Sequence, residues 1–415
     1  GQTTLFEASA CSPDGAYARI DIFDKAGDGR WDLIEVKGST KVKDYHIDDM
    51  ALQRYAFTGA GYDIEKSVLM HVNNQYTRKG AIEVKQLFRL EDRTEIVEDR
   101  MVSVEEELSH LLVQVNAPEE PNIAIGGHCS SPFECDFKGY CWQHVPEYSV
   151  YDLFSGQKLD TLLNKGIINV VDVPEHFDVT RLQGIAVDTY KSKRLHVERQ
   201  AVRAFLSRLV YPLYYLDYET IFPAIPLFDN SRPYQQIPFQ FSLHIQDRKG
   251  GSLEHVEFLH TDKGDPRPAF IESLVGSCGS KGSVVVYNQS FESKINEALA
   301  AVFPGHASGL ERINSRMVDL LQPFSSRFLY HPAMKGSASL KSVLPAFIPE
   351  MSYDELAIGD GDQASRAYLS WLKGEISDDE SHSVFVDLKE YCKQDTLAEV
   401  KLIEVLDRYA RDAQE

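Results

Sequence analysis

Three short acidic motifs in the second half of the chain carry the residue types that metal-assisted phosphodiester hydrolysis uses. The first is Leu216-Asp217-Tyr218-Glu219-Thr220, in an apolar segment that reads as a strand. Side chains two apart on a strand share a face, so Asp217 and Glu219 project together. The second is Tyr287-Asn288-Gln289-Ser290-Phe291-Glu292, where a strand over 283–287 turns into a helix over 290–302. Glu292 falls in the first turn of that helix. The third is Tyr391-Cys392-Lys393-Gln394-Asp395, in a final helix expected over about 386–411. Tyr391 and Asp395 are four apart and stack on one helix face. Four carboxylates gathered by a fold can hold two hard divalent cations, Mg²⁺ or Mn²⁺, which take oxygen ligands. Two such ions clamp the attacking and leaving oxygens of an in-line displacement.

A different acidic motif occupies the first half. Asp21 lies in a strand read over 17–24, and Glu35-Val36-Lys37 ends a strand read over 31–37. The turn Lys25-Ala26-Gly27-Asp28-Gly29-Arg30 between them suits a hairpin that sets Asp21 beside Glu35 and Lys37. Two carboxylates can hold one Mg²⁺, and an adjacent lysine can orient water or stabilise charge on a phosphorane. A bare match of this kind is more often a solvent-facing salt bridge. A cysteine cluster follows: Cys129, Cys135 and Cys141, with Gly126, Gly127 and Gly139 around it. Three thiols this close, in a chain with only six cysteines, read as metal binding rather than a disulfide framework.

These residues need a scaffold. A helix over 48–58, carrying Gln53, and a strand over 66–72 continue the first hairpin, and a further strand and helix are expected before the cysteines. Residues 146–207 read as a small helical connector, with Gly166 closing one helix and Pro174 marking the next start. Strands over 212–218, 236–245 and 253–260 follow, then a helix over 268–275. The stretches 359–363 and 376–382 read as solvated acidic loops.

The 415 residues suggest two or three domains. Hydrophobic residues at 43% and aromatics at 11% suffice for packed cores. The net charge of −20 argues against a protein that coats nucleic acid non-specifically, but leaves room for a local groove charged by bound cations. No run of about 18 apolar residues is present, so no membrane span is expected, nor a signal peptide; a cytoplasmic setting follows. The first residue is Gly1 rather than Met, and further residues are expected upstream.

The N-terminal motif, with the apolar strand before it and Gln53 on the next helix, resembles the PD-(D/E)XK nuclease superfamily, in its RecB-like branch, over roughly residues 1–145. The resemblance implies that Asp21 and Glu35 are metal ligands, that Lys37 is the catalytic lysine, and that Gln53 faces substrate. The family's Q-x-x-x-Y pattern is met only at Gln53; position 57 is Phe, and a Tyr stands at 55. The family's early metal-binding histidine is expected upstream of Gly1. Members of this branch hold a [4Fe–4S] cluster, which would make Cys129, Cys135 and Cys141 its late ligands. Cys11 matches the early ligand poorly. Zinc with Cys₃His ligation through His128 or His144 is the alternative.

The C-terminal trio resembles the DnaQ-like 3′–5′ exonucleases of the DEDDy type over roughly 208–411. The resemblance implies that Asp217, Glu219, Glu292 and Asp395 bind two metal ions and that Tyr391 orients the attacking water. Glu292 stands where most relatives carry Asp. Asn288 would meet substrate, Asp319 would support the site, and one or two of Tyr214, Tyr215, Tyr218, Tyr234 and Phe291 would stack on a terminal base. The expected fold is α/β: a PD-(D/E)XK nuclease-like domain (1–145), a helical connector (146–207) and an RNase H-like mixed-sheet exonuclease domain (208–415). The arrangement resembles RecB-family proteins fused to an RNase H-like domain. The expected activity is metal-dependent 3′–5′ hydrolysis of single-stranded ends, with DNA favoured over RNA and a regulatory protein partner compatible. The alternative is a weak or inactive scaffold that binds nucleic acid or a partner.

Overall fold

The computed structural model describes residues 3–353 and 356–411. The chain divides into two units: Gly1–Trp142 with Pro223–Gln235, and Gln143–Phe222 with Gln236–Glu415. The stretch 146–207, expected as a connector, is counted with the second.

In the first unit, β1 (Thr4–Cys11), β2 (Tyr17–Lys25) and β3 (Trp31–Lys37) form an antiparallel meander. Helix α1 (Asp44–Gly59) then returns the chain to β4 (Ile64–Val72), which runs parallel to β3. Parallel neighbours need such a crossover. Strand β5 (Phe88–Asp92) closes the sheet antiparallel to β4, and α2 (Thr94–Val115) packs on α1. Ile20, Phe23, Leu33 and Phe57 bury one core where α1 lies on the sheet. Strand β1 was not anticipated; its alternation of polar and apolar residues is weak, and pairing with β2 decides it.

The segment 223–235 belongs to this unit. The Arg78 guanidinium donates to the Pro226 and Leu227 carbonyls, and Tyr234 donates to the Gly38 carbonyl just past β3. Tyr234 thus stands beside the end of the β3 motif.

In the second unit, α3 (Gly156–Leu163), α4 (Arg181–Ser192) and α5 (Arg199–Leu206) precede the sheet. Gly166, at φ +70°, supplies the left-handed turn after α3. Strands β6 (Leu213–Ile221), β7 (Ile237–Gln246) and β8 (Leu253–Leu259) form a second antiparallel meander. Beyond α6 (Arg267–Ser277), β9 (Ser283–Val286) adds parallel to β6 on its other side. Helices α7 (Gln289–Val302) and α8 (Ala307–Asn314) lead to β10 (Met317–Asp319), parallel to β9. The strand order is β10-β9-β6-β7-β8.

Strand β6 is central and buried along almost its whole length, and its two faces do different work. Tyr214, Leu216 and Tyr218 point into the core with Phe241, Phe270, Leu274, Val284 and Ile295. Each such side chain contributes roughly 1.5–3 kcal/mol of transfer energy. Asp217 and Glu219, in the alternate register, face the other side. That side is covered by α10 (Gly361–Leu372) and α11 (Asp378–Ala410), and α9 (Leu340–Phe347) packs on α11.

The two acidic stretches read as loops are helix starts. Asp360 accepts from the Gln363 amide at 2.7 Å and caps α10. Ser377 and Glu380 form a capping box that starts α11 at residue 378, a turn or more before the sequence reading placed it. Buried polar contacts fix α11 to β7: Thr396 Oγ1 lies 2.7 Å from Ser242 Oγ and 2.8 Å from His244 Nδ1, and Gln240 donates to the Leu388 carbonyl at 2.9 Å. Among the described residues, no helix is long and apolar enough to cross a membrane.

Candidate metal centre of the second unit

Strand β6 presents Asp217 and Glu219, and α11 lays its Cys392–Asp395 turn against them. One ligand atom each from Asp217, Glu219 and Cys392 lie within 4.8 Å of one another. The Cys392 thiol donates to Asp217, at 3.6 Å from Oδ2 and 3.8 Å from its carbonyl oxygen. Asp395 sits one turn farther along and accepts from the Tyr353 hydroxyl and from Tyr391. Glu292, in the first turn of α7, is 2% exposed, and its Oε2 has no partner.

A fifth carboxylate joins them. Glu399 is 1% exposed, its Oε2 also lacks a partner, and the fields of Asp217, Glu292 and Asp395 all act on it. It lies four residues after Asp395, and Cys392, Asp395 and Glu399 share the i, i+3, i+7 spacing of one helix face. That spacing is visible in the sequence. An acid on an apolar face can equally be a partnered core residue, so spacing alone did not single it out.

The electrostatics are those of a site built for cations. Burial comes first, then repulsion from Asp395 on Asp217 and from Asp217 and Asp395 on Glu219, and both carboxyls are lifted well above the carboxylate range. Burial likewise lifts Glu292 and Glu399. Asp395 is pushed up to about 6 by burial, although Tyr353, Tyr391 and Lys341 pull it back. Asp217 remains partly exposed at the mouth, while burial is still the largest effect on it. The exposed Lys341 on α9 is the cation that acts on both Glu219 and Asp395. Two orphaned carboxylate oxygens in a buried acidic group are costly unless a cation meets them. Five oxygen-donor side chains suit hard divalent ions, so these residues fit Mg²⁺ or Mn²⁺. Gly361, at the start of α10, faces this cage: a Cβ there would lie 3.7 Å from Glu219 Oε2.

Other expected residues take supporting places. Asn288 is exposed at φ +84° and starts α7, with its amide donating to Asp319 at 3.1 Å. Asp319 also accepts from the Leu321 amide at 2.9 Å, so it fixes the strand-to-helix turn that carries Glu292. Tyr214, Tyr215 and Tyr218 are buried in β6, and Phe291 is half-buried against the core.

In the first unit, the sheet brings the predicted residues together. Asp21 accepts from the Val36 amide at 2.7 Å, which holds it beside Glu35. Lys37 donates to Glu35 at 2.6 Å and to Asp49 at 2.7 Å. Gln53 donates to Glu35 at 2.9 Å. Burial raises the Glu35 carboxyl despite Lys37 and Gln53. Burial alone would lower the Lys37 ammonium, but its bonds to Asp49 and Glu35 outweigh that and hold it above its ordinary range. Asp49 was not anticipated; it lies four residues before Gln53 on α1 and shares its face. Tyr55 is turned away, donating to Asp14 at 2.6 Å, so it does not complete the motif.

Cys129 is buried, Cys135 exposed and Cys141 half-buried. The Cys135 amide donates to the Cys129 carbonyl at 2.9 Å and closes the loop between them. Hydrogen bonds from the Trp142 indole and the Gly126 backbone lower the Cys129 thiol, favouring the thiolate that a cluster requires. Ligands of one tetrahedral zinc stand under about 4 Å apart. The three thiols do not gather within 4.8 Å of one another; among the described residues Asp217, Glu219 and Cys392 do. Cys11 ends β1 and is exposed.

Residues 214–339 match a family described as a domain of unknown function, DUF2779. No solved structure gives a significant match. The chain is similar to an uncharacterised protein of Ureaplasma parvum, 28% identical over 277 residues, covering 60% of this chain and 39% of that protein. It is similar also to an uncharacterised protein of Mycoplasma genitalium, 29% identical over 213 residues, covering 46% of this chain and 31% of that protein. The chain thus spans about a third to two fifths of the length of these relatives.

Proposed function

We propose that the chain is a divalent-metal-dependent nuclease whose main site is the carboxylate cage of the second unit, acting as a 3′–5′ exonuclease on single-stranded ends, DNA in preference to RNA. The observation that carries this reading is the meeting of Asp217 and Glu219 with the Cys392–Asp395 turn, together with the buried Glu292 and Glu399, whose two carboxylate oxygens are orphaned. The order β10-β9-β6-β7-β8, a meander extended by two parallel strands, supports an RNase H-like fold.

Asp217, Glu219, Glu292 and Asp395 would hold Mg²⁺ or Mn²⁺, which supply charge neutralisation and an activated water in such chemistry. Tyr391 is buried, and burial keeps its phenol protonated. Its one hydrogen goes to Asp395, so its oxygen would accept a hydrogen bond from water and orient it rather than act as a base. Tyr353 fixes the Asp395 carboxylate. Lys341, exposed at the rim, is placed to meet a phosphate.

The first unit is the second proposed site, with Asp21 and Glu35 as ligands and Lys37 as the catalytic lysine. Its meander, crossover helix and parallel strand support the PD-(D/E)XK reading. Cys129, Cys135 and Cys141 would supply three thiolates to a [4Fe–4S] cluster. A cytoplasmic setting and a regulatory protein partner belong to the same reading.

The test is hydrolysis of end-labelled single- and double-stranded DNA and RNA with Mg²⁺ or Mn²⁺. Shortening from the 3′ end that survives intact in both Asp217→Asn and Asp395→Asn would defeat the assignment.

A further inference from the structure

The four-carboxylate reading leaves Cys392 without a task, yet its sulfur is the atom from α11 that approaches Asp217 most directly. It is fully buried, and its thiol meets Asp217 at 3.6 Å from Oδ2 and 3.8 Å from the carbonyl oxygen. Ligands at about 2.0–2.3 Å from one tetrahedral ion stand roughly 3.3–3.8 Å apart. The Asp217, Glu219 and Cys392 donors, all within 4.8 Å of one another, are close to that spacing already. A second observation points to a cation at this spot. Glu292 and Glu399 are buried, carry an unpartnered oxygen each, and face the field of Asp217.

We propose that Asp217, Glu219 and Cys392 form a mixed carboxylate–thiolate site that takes one thiophilic divalent cation of the Zn²⁺ class. Thiolate is a soft donor that selects zinc-like ions, whereas Mg²⁺ keeps to oxygen. Binding forms one metal–sulfur bond and releases the thiol proton to solvent. Asp217 is partly exposed, so the ion enters past its carboxylate. The same carboxylates cannot serve a hard cation at the same time, so Zn²⁺ occupies the cage at the expense of Mg²⁺. The binding claim stands alone; the inhibitory consequence rests on the nuclease reading.

Cobalt(II) is the probe, because a cobalt–thiolate bond gives a near-ultraviolet charge-transfer band. The full chain, stripped of metal with a chelator, is titrated with Co²⁺ alone and then with Zn²⁺ alone. The expected result is a band component lost in Cys392→Ser, in Cys392→Ala and in Asp217→Asn, but kept in Cys135→Ser, and discharged by Zn²⁺. Zn²⁺ binding should weaken by at least about 10–100-fold in Cys392→Ser, since losing a ligand costs no less than losing a residue that only orients one. It should also release about one proton fewer per ion in that variant. Thermal melts of both Cys392 variants establish that they are folded. A band and a Zn²⁺ affinity indifferent to both Cys392 substitutions overturn the proposal. A Cys392-dependent band in a chain that hydrolyses no substrate removes the nuclease reading and leaves the site. Mg²⁺-dependent hydrolysis with no Cys392-dependent band does the reverse.

Discussion

Stripping metal from the second unit should make its stability fall as pH rises. Asp395 has an ordinary value of 3.8 and is pushed up to about 6 in the folded chain. Between those values the folded state keeps a proton that the unfolded state has released, so folding loses stability with rising pH. The interval is worth about 3 kcal/mol from Asp395 alone, fully present below 3.8 and gone above about 6. Asp217, Glu219, Glu292 and Glu399 are raised in the same direction and extend the fall to higher pH. For a unit of this size, 3 kcal/mol corresponds to roughly 6–12 °C in melting temperature. A divalent ion at about 100 times its dissociation constant should return about 2.7 kcal/mol. The assay is thermal unfolding from pH 4 to 8, with chelator and with Mg²⁺ or Mn²⁺, on the native chain and Asp395→Asn. General repulsion in a chain of net charge −20 also weakens folding at high pH. The decisive quantity is therefore the difference between the two chains. A pH slope unchanged by Asp395→Asn, together with a melting temperature indifferent to divalent ions, would refute the reasoning.

Further outcomes follow from the same geometry. Glu399→Gln should raise the melting temperature of the metal-free chain at pH 8, because a buried charge is removed, and should lower metal affinity measured by calorimetry. Tyr391→Phe should slow hydrolysis by roughly 10–10³-fold while leaving metal binding within about twofold, since the hydroxyl orients water rather than ligating. Lys37→Ala should cost the first unit about 1–3 kcal/mol in denaturant unfolding, because Glu35 and Asp49 lose their shared cation. Purified under exclusion of oxygen, the chain should contain iron and absorb visible light, and Cys129→Ser, Cys135→Ser and Cys141→Ser should each lose both; a colourless iron-free chain sinks the cluster.

The sequence by periodicity and spacing located most of what positions the sites. Apolar strands with carboxylates two apart, a strand running into a helix at Glu292, and Tyr391 four residues before Asp395 are local patterns, and local patterns survive in a linear reading. The same holds for the hairpin that joins Asp21 to Glu35. What was misread locally had signals that other patterns masked: the caps at Asp360 and Ser377 lay inside acidic stretches that also suit loops.

The composition of each cluster was decided by tertiary packing. Glu399 and Cys392 became site residues because α11 lies across the face of β6 that carries Asp217, and no spacing rule says which face of a long helix meets which strand. Asp49 joined Lys37 because α1 packs on β2 and β4, the two neighbours of β3. Tyr234, grouped in sequence with the second unit's aromatics, instead donates to Gly38 in the first. Burial, which raises all five carboxyls, is a property of what surrounds a side chain in space. The residue types are written in the chain; their desolvation, and therefore their chemistry, comes from the fold.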